Sequence, residues 1–150
     1  MPGGVVAHPV TWSAHRRTSY APGMRTYTPA EAAGESGFSL DTLRYYEREG
    51  ILPDVARTAG GHRVYTESDL GTLGFLRCLR DTGMPISLLR RYGQLCQDES
   101  TLPQRIELLQ EHAGNVAAER AELQARETQL RSKLDRYRAE LNARSRPAPG

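Results

Sequence analysis

The sequence predicts a mainly α-helical protein, in which a small domain of short helices and one β-hairpin is followed by a long C-terminal dimerisation helix. Three observations predict this class: helix-capping residues recur at short intervals, a glycine pair separates two strand-like runs, and residues 104–144 contain no proline. At 150 residues the chain is long enough for one modest core. We divide it into a disordered leader (residues 1–24), a helical domain (25–97), a coiled-coil helix (101–144) and a disordered tail (145–150).

The first two helices are marked by their caps. Thr28 and Glu31 predict a capping box with a proline at the first helical position, and Gly37 ends this helix after about two turns. Ser39 then caps a second helix, which Gly50 ends in a left-handed conformation. The pattern is typical of a helix, a tight turn and a second helix.

A small β-hairpin is predicted over residues 52–65, with Gly60 and Gly61 in its turn. Thr66 begins a third helix that Gly83 ends, and a fourth helix runs from about residue 87 to residue 96. The third and fourth helices supply most of the core, and the apolar positions of the third are Leu70, Leu73, Phe75, Leu76 and Leu79.

The last helix begins at a further predicted capping box, formed by Thr101 and Gln104, and about 40 helical residues span about 60 Å. Two heptad rows run along one of its faces. The first row is Leu109, Val116, Leu123, Leu130 and Tyr137. The second row is Ile106, Ala113, Arg120, Glu127, Leu134 and Leu141.

Such an apolar seam requires a partner helix, and we predict a homodimer. If two copies cross antiparallel near Leu123, Arg120 of one copy lies close to Glu127 of the other, which would set orientation and register. Two alternatives remain open. The helix folds back on the third and fourth helices, or the polar residues are tolerated where the seam faces solvent.

Composition excludes several classes of protein. The net charge of +2, from 20 basic and 18 acidic residues, excludes a polybasic protein, so any nucleic-acid surface must be local. The absence of a long apolar run and of a signal peptide predicts a cytoplasmic protein without a membrane partner. Cys78 and Cys96 are too few for a disulfide scaffold, and the histidines lack metal-ligand spacing. We therefore predict no metal, no cofactor and no catalysis.

A helix, turn and helix followed by a hairpin, or wing, is the arrangement that places one helix in the major groove of DNA and the wing against the backbone. The candidate base contacts on the second helix are Arg44, Tyr45 and Arg48. The residues near its start that can contact phosphate are Ser39 and Thr42. The candidates on the wing are Arg57, His62, Arg63 and Tyr65. The alternative is an ordinary solvated surface, on which the arginines pair with Asp41, Glu47, Glu49 and Asp54.

Several motifs of this domain resemble one family. They are Tyr27-Thr28, Leu43-Arg44-Tyr45-Tyr46-Glu47, Gly50-Ile51-Leu52-Pro53, Gly61-His62-Arg63-Val64-Tyr65 and Asp69-Leu70. Over about residues 25–142 the chain resembles the MerR family of bacterial transcription regulators. The resemblance implies a homodimer joined by an antiparallel coiled coil, bound to a promoter with an overlong spacer that DNA distortion aligns for RNA polymerase.

Carried across position by position, the resemblance assigns DNA contacts to Arg44, Tyr45, Arg63 and Tyr65. It places Thr28 at a helix N-terminus, where a phosphate can bind. Tyr46, on the other face of its helix, is predicted to lie in the core.

Cys78 is the candidate effector-sensing residue. Its position in the third helix resembles the single cysteine of the thiol- and aldehyde-responsive branch, the NmlR or AdhR type, and Arg77 and Arg80 are placed to lower the pKa of its thiol. The alternative is that Cys78 is a small core residue, and Cys96 is a weaker second candidate. Two other functions remain open: a winged-helix regulator without an effector, and a coiled-coil assembly adaptor whose arginines only confer solubility.

Overall fold

The computed structural model describes residues 23–52 and 55–150, and the predicted leader lies outside these residues except for its last two. The elements are β1 (Thr26–Tyr27), α1 (Pro29–Ser36), α2 (Leu40–Arg48), β2 (Ala56–Arg57), β3 (Arg63–Thr66), α3 (Glu67–Asp81), α4 (Ile86–Leu95), a 3-10 turn (Glu99–Thr101) and α5 (Leu102–Arg144). The mainly helical fold class is confirmed. The chain forms two units, one ending at Leu109 and one beginning at Gln110.

The caps of α1 and α2 form as predicted. The Thr28 hydroxyl accepts from the backbone N–H of Glu31, and the Glu31 carboxylate accepts from the N–H of Thr28. Gly37 ends α1 at a φ of +74°, a left-handed conformation that favours glycine. Ser39 caps α2 through its side-chain oxygen. These local contacts define the helix-turn-helix.

The predicted hairpin forms, and it belongs to a larger sheet. β2 and β3 pair antiparallel, with Arg57 opposite Arg63. β1 pairs with the other edge of β3, so that Tyr27 lies opposite Tyr65 and β3 is the central strand. A two-residue strand such as β1 has too little alternation to be recognised in the sequence. We call β2, β3 and the turn between them the wing.

The core lies among α1 to α4 and the sheet. Tyr46 is buried as predicted, and its ring meets that of Phe38 edge-on at a centroid distance of 5.3 Å. On α3, Leu70 and Phe75 are only partly buried. The other three predicted core positions of this helix, Leu73, Leu76 and Leu79, are buried.

The start of α5 differs from the prediction. The capping box of Thr101 with Gln104 does not open this helix, because the Thr101 hydroxyl donates to the carbonyl oxygens of Leu95 and Asp98. Leu109, predicted to lie in the dimer seam, is partly buried against the core of its own unit. The first turns of α5 thus complete the N-terminal unit.

The second unit consists of the remainder of α5, which continues to Arg144, and of the six residues that follow this helix. Five of its heptad-spaced side chains are at least half exposed: Leu123, Leu130, Leu134, Tyr137 and Leu141. Disorder of residues 145–150 stays a prediction. No helix in the described part of the chain is long and apolar enough to cross a membrane.

Candidate nucleic-acid interface

The exposed face of α2 carries the cationic residues predicted to contact DNA. Arg44 lies 3.5 Å from Asp41, but both side chains are largely exposed, so this ion pair is weak and leaves the guanidinium available. The Arg48 guanidinium lies 5.7 Å from the ring centroid of Tyr45, which is itself partly buried against the core. α2 therefore presents two guanidinium groups to solvent.

Hydroxyl groups mark the N-termini of α1 and α2. Ser39 and Thr42 share a hydrogen bond of 2.8 Å between their hydroxyls, and Ser39 also accepts from the Thr42 N–H at 3.1 Å. Thr28 accepts from the N–H of Glu31 at 3.2 Å. The three predicted phosphate contacts therefore lie where the helix dipoles favour an anion.

The turn of the wing is exposed and is closed by local hydrogen bonds. The Thr58 N–H donates to the His62 carbonyl at 2.8 Å, and the His62 N–H donates to the Thr58 hydroxyl at 3.2 Å. Arg57 donates through Nη1 to the carbonyl of Gly61 at 3.1 Å. These bonds fix the backbone of the turn, while the side chains of Arg57 and His62 remain exposed.

One carboxylate joins the wing to α2. Glu47 accepts from Arg63 Nε at 2.5 Å, and its other oxygen lies 3.6 Å from Arg57 Nη2. The Glu47 side chain is only 16% exposed, so this pairing is better shielded from solvent than that of Arg44. The alternative of arginines paired with acidic neighbours thus applies to the wing, through Glu47.

The structure corrects the prediction that Tyr65 contacts DNA. Only 1% of Tyr65 is exposed, because it lies in the central strand, opposite Tyr27 of β1. Burial also raises the pKa of its phenol. The sequence places Tyr65 next to the wing arginines but carries no signal for β1, the strand that pairs beside it.

The two cysteines lie in opposite environments. Cys78 is exposed on α3, so the alternative that it is a core residue is wrong. Cys96 is buried near Tyr92 and Arg105, and burial raises the pKa of its thiol. The described residues contain no group of three or more His, Cys, Asp or Glu side chains that could hold a metal ion.

Arg77 and Arg80 contact the turn of the helix-turn-helix. Arg77 donates through Nη1 to the carbonyl of Ser36 at 3.0 Å, and the Arg80 guanidinium lies 4.6 Å from the ring centroid of Phe38. These contacts join residues about 40 positions apart, so no local pattern indicates them. The sequence places both arginines beside the thiol of Cys78 and carries no signal for their contacts with this turn.

Comparison with known proteins identifies the family. The family model for MerR HTH family regulatory proteins matches residues 27–95 of this chain. An uncharacterized HTH-type transcriptional regulator of Haemophilus influenzae is 38% identical over 113 residues, which are 75% of this chain and 84% of that protein. The chain belongs to the MerR family. It is a DNA-binding transcriptional regulator, as predicted. The relatives that it matches are also transcriptional regulators, and the family is non-enzymatic.

Two solved MerR structures share this architecture. One is the crystal structure of HiNmlR, a MerR family regulator lacking the sensor domain, bound to promoter DNA. It matches with a TM-score of 0.70 at 37% identity, over 77% of this chain and 92% of that chain. The other is a Listeria monocytogenes protein assigned to the same family, with a TM-score of 0.73 at 34% identity, over 78% of this chain and 89% of that chain.

Proposed function

We propose that the chain binds promoter DNA as a homodimer, through α2 and the wing, and distorts the promoter so that RNA polymerase can use it. The observation that carries this proposal is the pair of exposed guanidinium groups on α2, beside a wing joined to that helix by Glu47. The relative HiNmlR, bound to promoter DNA in its crystal structure, supports it. The proposed contacts are Thr28, Ser39, Thr42, Arg44, Tyr45, Arg48, Arg57, His62 and Arg63.

These residues divide by the part of DNA that they suit. Arg44 and Arg48 project from the helix that would enter the major groove, where guanidinium groups pair with guanine edges. The hydroxyls at the helix starts, and Arg57 and His62 on the wing, suit phosphate oxygens. Base contacts would specify the sequence, and phosphate contacts would set the position of the domain on DNA.

The exposed apolar face of α5 supports a second copy of this chain as its partner. In a single copy, leucines at heptad spacing on this face remain in contact with water. The proposed interface residues are Ile106, Ala113, Val116, Arg120, Leu123, Glu127, Leu130, Leu134, Tyr137 and Leu141, with Leu109 engaged in the core of its own unit.

The distribution of charge supports an antiparallel arrangement. Residues 102–123 carry four acidic and two basic side chains, whereas residues 124–144 carry three acidic and six basic ones. Antiparallel copies crossing near Leu123 bring each acidic half beside a basic half, and parallel copies would bring like charges together.

A dimer of this kind presents two recognition helices to two half-sites, and the energy of bending the DNA between them becomes part of recognition. Alignment of an overlong promoter for RNA polymerase is the regulatory consequence that we propose. The proposal places the protein in the cytoplasm, together with the DNA that it binds.

The test is binding to a duplex that the wild-type protein selects from a random-sequence pool. We expect Arg44→Ala to weaken binding to this duplex by about 1–3 kcal/mol and to relax the base preference at one position of each half-site. Arg138→Ala, which removes the same charge from an exposed site on α5, is the matched control. Failure of the wild-type protein to show steep salt-dependent binding would favour the assembly adaptor.

We further propose that Cys78 is the effector-sensing residue, because its thiol is exposed to solvent whereas that of Cys96 is buried. Transcription in vitro from a selected promoter, with and without an aldehyde, tests this role. We expect the aldehyde to change output with the wild-type protein and with Cys96→Ser, and to have no effect with Cys78→Ser. An unchanged response of Cys78→Ser would favour a trigger elsewhere, and no response in any protein would favour a regulator without an effector.

A further inference from the structure

We infer that Glu47 strengthens the sequence specificity that the base contacts provide, by holding the wing at a fixed position relative to α2, without contacting DNA itself. The inference rests on the proposed binding of DNA through α2 and the wing. Glu47 is a positioning residue in this account, and it acts through Arg57 and Arg63.

The geometry of the wing creates a need for this carboxylate. Arg57 and Arg63 lie directly opposite each other in the β2–β3 ladder, and like charges at such a position repel. Each oxygen of Glu47 faces one of them, at 2.5 Å from Arg63 Nε and at 3.6 Å from Arg57 Nη2. Glu47 therefore offsets the repulsion and links both strands of the wing to α2.

The charge of Glu47 by itself opposes DNA binding. A carboxylate on α2, the helix that would enter the major groove, reduces the positive charge that attracts DNA of any sequence. Its bond to Nε leaves the Nη groups of Arg63 as donors for DNA. Glu47 would therefore favour binding through the position of the wing, although its negative charge disfavours binding.

Specificity follows from the fixed geometry. α2 would read bases in the major groove, while the wing would hold the flanking backbone. With the wing fixed on α2, both sets of contacts form together only on DNA whose shape brings the phosphates to the wing arginines. A wing released from α2 would find phosphates on any duplex.

Glu49 provides the matched control. It lies two residues further along the chain, at the end of α2, and pairs with Arg90 of α4 at 2.6 Å. Glu49→Gln raises the net charge by the same amount as Glu47→Gln and removes one ion pair, but it leaves the wing attached. The two variants therefore separate charge from position.

The experiment measures the affinity of full-length protein for the duplex selected by the wild type and for a shuffled duplex of the same composition. We expect Glu47→Gln to bind the selected duplex about tenfold more weakly, and to bind the shuffled duplex as tightly as the wild type or more tightly. Glu49→Gln should keep the wild-type ratio of the affinity for the selected duplex to the affinity for the shuffled duplex. Glu47→Gln and Arg63→Gln should be non-additive in a double-mutant cycle, because both release the same strand.

Circular dichroism and thermal unfolding establish that each variant is folded, and Glu47→Asp, which keeps the charge, should recover part of the ratio. If Glu47→Gln and Glu49→Gln strengthened binding to both duplexes equally, the inference would be overturned in favour of an effect of charge alone. A parallel loss on both duplexes would also overturn it. If the wild type selects no duplex, the proposed function fails and the inference fails with it. If the wild type selects one and Glu47→Gln keeps the ratio, only the inference fails.

Discussion

Gly93 of α4 faces the backbone that follows α2, at a distance that admits no side chain. A Cβ atom on this residue would lie 2.4 Å from the carbonyl oxygen and 2.8 Å from the Cα of Ile51. The contact is with backbone, which cannot turn aside as the end of a flexible side chain can. Gly93 therefore allows α4 to support the turn that follows α2.

We expect Gly93→Ala to lower the free energy of unfolding by about 1–3 kcal/mol, because the new methyl group overpacks this contact. Gly74→Ala is the matched control, since Gly74 lies within α3 and a Cβ there meets no atom within 4 Å. That variant should raise the free energy of unfolding by about 0.5–1 kcal/mol through helix propensity. Urea denaturation followed by circular dichroism measures both, and equal stabilisation by the two alanines would contradict this account.

Among the elements, α3 begins without a loop, because Thr66 is both the last residue of β3 and the N-cap of α3. Asp69 completes the capping box by accepting from the Thr66 N–H at 2.9 Å. Burial raises the pKa of the Asp69 carboxyl, although its hydrogen bonds to Thr66 act in the opposite direction. Ionisation of this carboxyl therefore opposes folding.

We expect wild-type protein to lose stability relative to Asp69→Asn as the pH rises through the acid range. In the folded chain Asp69 keeps its proton to a higher pH than in the unfolded chain, so its contribution is complete below the ordinary carboxyl pKa. The contribution is then lost as the pH rises through the raised pKa. Asparagine does not titrate and retains an oxygen that can accept from Thr66.

Thermal unfolding of both proteins between about pH 3 and pH 7 measures the difference. Asp135→Asn, at an exposed site on α5, controls for the loss of one carboxylate. A difference between wild type and Asp69→Asn that stays constant over this range would show that the Asp69 pKa is the same in the folded and unfolded chains.

For the whole molecule, the charges at the centre of α5 decide how two copies would meet. Near an antiparallel crossing at Leu123, Arg120 of each copy would face Glu127 of the other, so the pair would form twice. Within one chain, Glu127 pairs with Arg131 at 2.6 Å, and both side chains are largely exposed. The carboxylate is therefore accessible to a second copy.

We expect Glu127→Arg to raise the dimer dissociation constant about tenfold, since two pairs of about 0.5–1 kcal/mol each become repulsive. Arg120→Glu combined with Glu127→Arg should restore dimerisation, because the exchange recreates both pairs. Sedimentation equilibrium measures the three proteins. A parallel dimer would show no such effect of the single change, because residue 127 would then face its own copy.

Glu122→Arg is the matched control for this charge exchange. Glu122 pairs with Arg126 four residues along the same helix, at 3.6 Å, and lies outside the two heptad rows. Its replacement disrupts an equivalent pair within the helix, and we expect the dissociation constant to change little. A loss of dimerisation as large as that of Glu127→Arg would indicate a general effect on the helix.

Elements whose signals are local could be predicted from the amino-acid sequence alone. The capping box of Thr28 with Glu31 and the left-handed end of α1 at Gly37 each involve backbone groups within three or four residues, so the residues that cause them are neighbours in the chain. The wing turn and the heptad rows are local in the same sense. For this reason the helix-turn-helix and the hairpin could be predicted, and the residues that we propose to contact DNA could be placed on them; Tyr65 is the exception, because it is buried.

Burial and side-chain pairing that involve residues distant in the chain became visible only in the folded structure. Tyr65 is buried because β1, almost 40 residues earlier in the chain, pairs with β3. The thiol of Cys78 is exposed, because the buried residues of α3 lie at other positions on the helix. The ion pair between Glu47 and the wing also depends on the fold, since its partner Arg63 lies 16 residues away in the chain. Burial and pairing are set by whichever surfaces meet, and one segment of sequence contains only half of each contact.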